Sequence, residues 1–255
     1  MRDVLEAVAA GELSPEAAEA KLSGYATSEA GRYDAARETR SGVPEAVYAE
    51  MKTPEEVATL VATSVETTGR AIATRCDDDQ IRATRERVEE SVPDASIRLN
   101  DRAGVLVVHG ADFEPPEIAA SVCIVTAGTS DAVPAGEATA IVREMGADVE
   151  RISDVGVAAL ARLTDRLDDL RAHDVLIVAA GREGALPTVT AGLVDVPVIG
   201  LPVSTGYGHA GEGEAALSGM LQSCTALSVV NIDAGFTAGV QAGLIARQIG
   251  SAREE

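Results

Sequence analysis

Between residues 119 and 249 the chain sets five short apolar runs against five helix-like ones. The apolar runs fall at 119–126, 147–153, 174–180, 196–203 and 227–233, and the helical ones at 135–145, 155–172, 185–193, 212–222 and 237–249. Strands joined through helices run parallel, and a parallel sheet needs both of its faces covered. Right-handed crossovers then leave few arrangements. The pattern predicts an α/β fold, a doubly wound parallel sheet over 118–255 with strand order 2-1-3-4-5. In that order a ligand crevice lies beyond the C-terminal ends of the first and third strands.

The first 111 residues read differently, as a helical start and a smaller α/β unit. Ser14-Pro15 has the form of an N-cap followed by proline at the first helical position. The stretch 25–50 looks irregular, with a short strand near 45–48. "TPEE" (53–56) is a capping box that opens a helix running to about Thr68, where Gly69 stops it. "RAIATR" (70–75) and "GVLVVHG" (104–110) read as strands, with a polar helix over 77–92 between them. "DFEPPE" (112–117) reads as a linker, because its prolines favour extended backbone.

The chain carries 41 acidic against 21 basic residues, a formal charge of −20, and its only lysines are Lys21 and Lys52. Such a field repels nucleic acid and anionic membranes. Acid excess with arginine in place of lysine suits a chain hydrated in concentrated salt, where screening removes self-repulsion; an ordinary acidic enzyme is the alternative. No apolar run approaches the ~20 residues of a membrane span, and the N-terminal stretch lacks the pattern of a signal peptide. The expectation is a cytoplasmic protein. Cys76, Cys123 and Cys224 show no CxxC spacing and no pairing with His109, His173 or His209, so neither zinc nor a disulfide framework is indicated.

The crevice rule selects two loops, "TAGTSDAVPAGEA" (126–138) after the first strand and "AAGREGALPTVTAGL" (179–193) after the third. Both run into helices, whose N-terminal N–H groups suit a phosphate. Gly128 permits close backbone approach, and Thr129 and Ser130 offer hydroxyls. Asp131 either caps the helix or binds a ribose hydroxyl. Glu183, in a Gly-rich loop at the mouth of a sheet, is either a solvated glutamate or a base. Neither loop is GxGxxG or GxxxxGK[ST], which disfavours a dehydrogenase or a P-loop kinase.

"TAGTSD", "GREGALPTVTAGL", "DVPVIGLPVSTGYG", "GEGEAALSGMLQSC" and "VVNIDAGFTAG", in that order, resemble the LarB family of nickel-pincer cofactor synthesis. "RSGVPEAVYAEMKTPEE" and "ATRCD" extend the likeness over nearly the whole chain. The C-terminal part is also similar to the purine-pathway aminoimidazole ribonucleotide carboxylases and mutases, a flavodoxin-like three-layer fold. Those enzymes carry histidines in the loop after strand 2 and in the loop after strand 3. This chain has "ISDVGVAAL" (152–160) in the first and Ala185 in the second. A purine-type mutase is therefore the alternative reading, and a non-catalytic nucleotide-binding oligomer a third.

The LarB resemblance implies carboxylation of nicotinic acid adenine dinucleotide at C5 of its pyridinium ring, with CO2 or bicarbonate as co-substrate. It also implies cleavage of the phosphoanhydride to AMP, with Mg2+ neutralising the leaving phosphate. It implies Cys224 as the nucleophile that adds to the ring and Glu183 as the base, since thiolate is the reactive form of cysteine. Gly181, Gly184, Ala185, Leu186, Pro187, Thr205, Tyr207, Gly208, Asn231 and Asp233 are then candidate substrate contacts, and Arg75 and Lys52 candidates for the dinucleotide's phosphates. Arg182 stands where the resemblance leads one to expect methionine; it would weaken Glu183 as a base or contact the substrate's carboxylate. Cys224 follows a helix and precedes the last strand, which sets it away from the crevice of its own chain. The expected remedy is a homo-oligomer, an octamer by resemblance, in which a neighbouring copy supplies Cys224.

Overall fold

The computed structural model describes residues 2–254 except 12, 16, 17, 19–21, 23 and 206–208. The chain divides into two compact units, Met1–Glu114 and Pro115–Glu255.

The first unit opens with helix α1 (Arg2–Ala9) and contains a hairpin, β1 (Ala26–Ser28) and β2 (Gly31–Tyr33), then α2 (Arg37–Ser41) and β3 (Val47–Tyr48). Helices α3 (Pro54–Thr68) and α4 (Asp78–Ser91) both start in capping boxes, Thr53 with Glu56 and Asp77 with Gln80. Strands β4 (Arg70–Thr74), β5 (Ser96–Asn100) and β6 (Val105–His109) complete a four-stranded sheet of order β3-β4-β6-β5. The stretch read as irregular thus holds a hairpin, and β5 was not expected. The three-residue strands of the hairpin are too short to show an alternation. At the Ser14-Pro15 helix start, Pro15 is helical and the Ala18 N–H donates to the Ser14 carbonyl; residues 16, 17, 19–21 and 23 lie outside the described residues.

The second unit is the expected doubly wound sheet. Its strands are β7 (Ile118–Thr126), β8 (Ala147–Ile152), β9 (Val175–Ala180), β10 (Val198–Pro202) and β11 (Ser228–Val229), all parallel, in the order β11-β10-β9-β7-β8. Successive side chains of a strand point to opposite faces. Val122 and Ile124 of β7 face helices α5 (Ala132–Glu144) and, at the end of the chain, α10 (Gly235–Glu254). Cys123 and Val125 face the other layer, where Leu163, Leu170, Leu186 and Met220 pack. That layer comprises α6 (Leu160–Thr164), α7 (Leu167–Arg171), α8 (Ala185–Ala191) and α9 (Glu214–Leu221). The run read as one helix over 155–172 is a 3-10 turn followed by the two short helices α6 and α7.

Helix α10 lies close on α5. A methyl group at Gly239 would stand 2.8 Å from Ile141 Cβ, and one at Gly243 2.5 Å from Met145 Sδ. Its last turn is tied to the N-terminal edge of the sheet. The Arg253 guanidinium donates to Asp174 Oδ2 at 2.9 Å and to the Ala119 carbonyl at 2.7 Å, while Asp174 also accepts the Ser121 N–H at 2.9 Å. The Arg253 hydrogen bond holds the Asp174 carboxyl below its ordinary value. A carboxylate whose pKa is lowered by folding stabilises the fold above its unfolded value, and that contribution is lost as pH falls through the folded value. Arg253→Met is expected to lower the melting temperature at neutral pH, with the gap to the unaltered protein closing below about pH 3.9. A gap that stays constant in melts from pH 7 to pH 2 would show that the pair contributes nothing through this carboxylate.

Candidate functional site

Four loops converge beyond the C-terminal ends of the strands. After β7 the chain enters Ala127–Asp131, where the Asp131 side chain turns inward and is 2% exposed. Its Oδ2 accepts the Gly128 N–H at 2.8 Å, and its Oδ1 accepts the Ser130 hydroxyl at 3.2 Å. Burial pushes the Asp131 carboxyl above its ordinary value, against the pull of the Gly128 hydrogen bond. Of the two roles open to Asp131, capping the turn is the one the structure shows; its oxygens are engaged by its own loop.

After β9 comes the turn Gly181–Gly184, and here the backbone itself is constrained. Gly184 has φ +67°, and a methyl group on it would stand 2.4 Å from the Ala216 carbonyl oxygen of α9. On α9, a methyl at Gly219 would stand 2.3 Å from the Glu183 carbonyl oxygen. Only residues without a Cβ allow the turn and the helix to lie so close. The consequence is a fixed turn that presents Arg182 and Glu183, both exposed, at the rim of the crevice.

The loop after β8 supplies a wall that the sequence did not suggest. Asp154 adopts φ +63°, the Val155 N–H donates to the Thr126 carbonyl at 3.3 Å, and Gly156 approaches the Ala127 carbonyl. Gly156, Val157 and Ala158 are thereby laid against the first loop. The available signal was topological, since the second strand neighbours the first. The loop after β10 closes the ring, the Thr205 hydroxyl donating to the Ser130 carbonyl at 3.0 Å.

The half-open cavity between these loops measures about 480 Å³. Of the expected residues, Gly128, Ser130, Asp131, Gly181, Glu183, Gly184, Ala185, Leu186 and Thr205 line it, and most of the remaining lining is apolar or glycine. Thr129 is exposed outside the lining. Pro187 is buried and faces Gly200 of β10 rather than the cavity. Asn231 and Asp233 lie outside the lining as well. Asn231 Oδ1 accepts the Ile232 N–H, and Asp233, at φ +54°, accepts the Ser204 N–H at 3.0 Å. Asp233 thus ties the loop after β11 to the loop after β10. Tyr207 and Gly208 lie outside the described residues. Lys52 and Arg75 belong to the first unit, where Lys52 Nζ donates to the Tyr48 carbonyl at 2.7 Å and Arg75 pairs with Glu50 at 3.1 Å.

The three cysteines differ sharply. Cys123 is fully buried in the sheet, and burial pushes its thiol up to about 12. Cys76 is half-buried and is likewise pushed up to about 12 by burial. Cys224 is exposed. It sits three residues past α9, in a turn held by a Ser223–Thr225 hydroxyl contact of 2.7 Å and by Thr225 donating to the Thr188 carbonyl at 3.4 Å. It does not line the cavity of its own chain. Among the described residues there is no group of three His, Cys, Asp or Glu side chains that could hold a metal ion. The lining carboxylates are Asp131, engaged by its own loop, and Glu183. These residues do not form a resident Mg2+ site.

Two family signatures cover the chain. The AIR carboxylase signature matches residues 121–255, and the LarB/PurE-like N-terminal domain signature matches residues 25–110. The chain belongs to the LarB-like family. The LarB-like chain is 40% identical over 258 residues to an uncharacterised protein of Methanocaldococcus jannaschii, spanning 97% of each. Among solved structures, it is similar to a variant of PurE2 from Treponema denticola (21% identity, 55% of this chain and 91% of that one, TM-score 0.41). It is also similar to a flavodoxin from the domain Archaea (15% identity, 53% and 99%, TM-score 0.29). The domains of the LarB-like chain are those of a carboxylase or mutase. No helix among the described residues is long and apolar enough to cross a membrane.

Two measurements check this geometry. An alkylating reagent at neutral pH is expected to label Cys224 alone in the folded protein, since the other two thiols are held protonated and covered. Equal labelling of Cys76 or Cys123 by peptide mass would contradict it. The two lining glycines should also separate. A methyl group at Gly128, which has extended backbone, meets no atom within 4 Å, whereas Gly184 is held by both φ and packing. Gly184→Ala is expected to cost about 1–3 kcal/mol of stability, and Gly128→Ala to leave the melt unchanged while weakening ligand binding. Equal melts for the two variants would refute the distinction.

Proposed function

We propose that this LarB-like enzyme carboxylates C5 of the pyridinium ring of nicotinic acid adenine dinucleotide and hydrolyses the phosphoanhydride. The products are pyridinium-3,5-biscarboxylic acid mononucleotide and AMP, on the route to a nickel-pincer cofactor. A pyridinium ring is electron-poor, whereas CO2 needs a carbon nucleophile. The Cys224 thiolate adds at C6, which breaks the aromatic system and leaves an enamine whose C5 is nucleophilic. C5 forms the new bond to CO2, Glu183 takes the C5 proton, and the electron pair returns to expel the thiolate and restore the ring. Water supplies the oxygen that divides the anhydride.

The observation that carries this reading is the make-up of the cavity. It offers apolar walls for a flat ring and a carboxylate on a fixed turn at the rim, and none of His109, His173 and His209 is among its described lining residues. A proton relay of the purine type has no histidine to run on among the described lining residues. The exposure of Cys224, beside two thiols that are covered, supports its assignment as the nucleophile. Because Cys224 lies outside its own cavity, the reading includes a homo-oligomer, an octamer by resemblance, in which one copy's thiol enters another's crevice. The phosphates are assigned to the first turn of α5, where backbone N–H groups favour an anion. Mg2+ enters as a companion of those phosphates, and no step here runs through it. A cytoplasmic setting and a salt-rich one belong to the same reading.

The test is incubation with nicotinic acid adenine dinucleotide, bicarbonate and Mg2+ at high salt, with mass spectrometry for the dicarboxylated mononucleotide and AMP. Both products are expected. Cys224→Ser is expected to abolish carboxylation, and Glu183→Gln to lower it by roughly 10²-fold or more, as loss of a general base does. Turnover of carboxyaminoimidazole ribonucleotide instead would establish the mutase reading, and binding without turnover of either compound a non-catalytic one.

A further inference from the structure

We propose that Ser223 and Thr225 are positioning residues for Cys224: their hydroxyls form a hydrogen-bonded chain that fixes the turn carrying the thiol and so sets the line along which sulfur reaches the ring. The assignment rests on Cys224 being the nucleophile, as proposed above.

A nucleophile that serves a neighbouring copy has to be held in place by its own chain. Backbone pairing does not hold this one. Helix α9 closes with the Gln222 N–H donating to the Ser218 carbonyl and the Ser223 N–H donating to the Met220 carbonyl, both at 3.1 Å. Beyond them Cys224, Thr225 and Ala226 make no backbone-to-backbone hydrogen bond among the described residues, and pairing resumes at Ser228. Cys224 is exposed, so packing does not wedge its side chain either.

The flanking hydroxyls supply the constraint. Ser223 Oγ and Thr225 Oγ1 lie 2.7 Å apart, and the Thr225 N–H donates to Ser223 Oγ at 3.2 Å. The Thr225 hydroxyl donates to the Thr188 carbonyl at 3.4 Å. A hydroxyl has one hydrogen to give. Thr225 directs its own to Thr188, so Ser223 is the donor within the pair. Bonds in such a series strengthen one another. The chain closes around the Cys224 backbone and is anchored on α8, the helix whose first residues, Ala185 and Leu186, line the cavity. The Thr225 methyl lies over Gly192 at the end of the same helix, 3.7 Å from where a Cβ would stand.

Addition at C6 needs sulfur within about 3–3.5 Å of the ring and in line with its π system, and a misplacement of about 1 Å costs on the order of 10²-fold. Loosening the turn leaves the ligand's own contacts intact. It lowers the fraction of bound substrate that finds sulfur in line, which is an effect on kcat rather than on binding.

The experiment compares the unaltered protein with Thr225→Val, Ser223→Ala, Thr225→Ser and the Ser223→Ala/Thr225→Val double variant in the carboxylation assay. Thr225→Val deletes the hydroxyl and keeps the branch, whereas Thr225→Ser keeps the hydroxyl and loses the methyl. Thr225→Val and Ser223→Ala are each expected to lower kcat by about tenfold or more, and Thr225→Ser to stay within about threefold. The double variant should lose no more than the worse single one, because both changes break one chain. The Kd for nicotinic acid adenine dinucleotide, measured by calorimetry without bicarbonate, should hold within about twofold throughout. The pH midpoint for alkylation of Cys224 by iodoacetamide should not move, since the hydroxyls place the sulfur and leave its acidity alone. Should Thr225→Val unfold below the assay temperature, Ser223→Ala decides.

A Thr225→Ser variant as impaired as Thr225→Val would assign the effect to the methyl and overturn the proposal. A Kd that rises in step with the fall in kcat would overturn it too, as would a displaced alkylation midpoint. An unaltered protein that makes no dicarboxylated product, or a Cys224→Ser variant that still makes it, would overturn the proposed function and this inference together. Product made by the unaltered protein and lost in Cys224→Ser, with kcat of Thr225→Val and Ser223→Ala unchanged, would overturn this inference alone.

Discussion

The site depends on one backbone contact, the turn Gly181–Gly184 lying flush against helix α9. Two absent Cβ atoms permit it, at Gly184 on the turn and Gly219 on the helix, where a methyl would stand 2.4 Å and 2.3 Å from the facing carbonyl oxygens. Close packing of this kind leaves no room for gradual adjustment. The turn is therefore a fixed platform, and the two charged residues on it line the crevice. The same helix leads, three residues past its end, to Cys224. One element thus positions the carboxylate and carries the thiol, yet the thiol faces outward and the carboxylate faces a cavity that the thiol does not line. That division is why the chemistry assigned here calls for a second copy of the chain.

The remaining polar groups around the crevice serve the loops. Asp131 caps its own turn, Asp233 holds the Ser204 N–H, and the Thr205 hydroxyl joins the fourth loop to the first. Each looks, as a residue type, like a contact for ribose or phosphate. In three dimensions each is engaged in fixing the wall. Pre-organised walls cost nothing to order when a ligand arrives.

Much of this could be read from the chain. The stretches 122–125 and 175–180 are continuously apolar because β7 and β9 are covered on both faces, and that alone announces a parallel sheet. The crevice rule then found the loops holding Gly128 and Glu183. Other features left no mark. The leucines of 155–172 keep helical spacing, so the segment reads as one helix, although the backbone breaks between α6 and α7; Leu163 and Leu170 are both fully buried across the break. Periodicity reports which side is covered and says nothing of continuity. The last strand, read as 227–233, pairs over only Ser228–Val229, as an edge with one neighbour can. The wall of Gly156, Val157 and Ala158 was noticed only for the histidine it lacks. Whether an aspartate binds a ligand or its own backbone depends on where its N–H partners lie, which residue type does not encode.

The central claim is that thiol and carboxylate from different copies meet in one crevice. It is tested most directly by mixing the inactive Cys224→Ser with the strongly impaired Glu183→Gln, unfolding and refolding them together, and assaying carboxylation of nicotinic acid adenine dinucleotide. A crevice shared between copies predicts that the mixed assembly regains activity well above that of either parent, because some crevices then hold an intact carboxylate from one chain and an intact thiol from the other. A mixed assembly no more active than its better parent, while unaltered protein refolded the same way is active, would contradict the account.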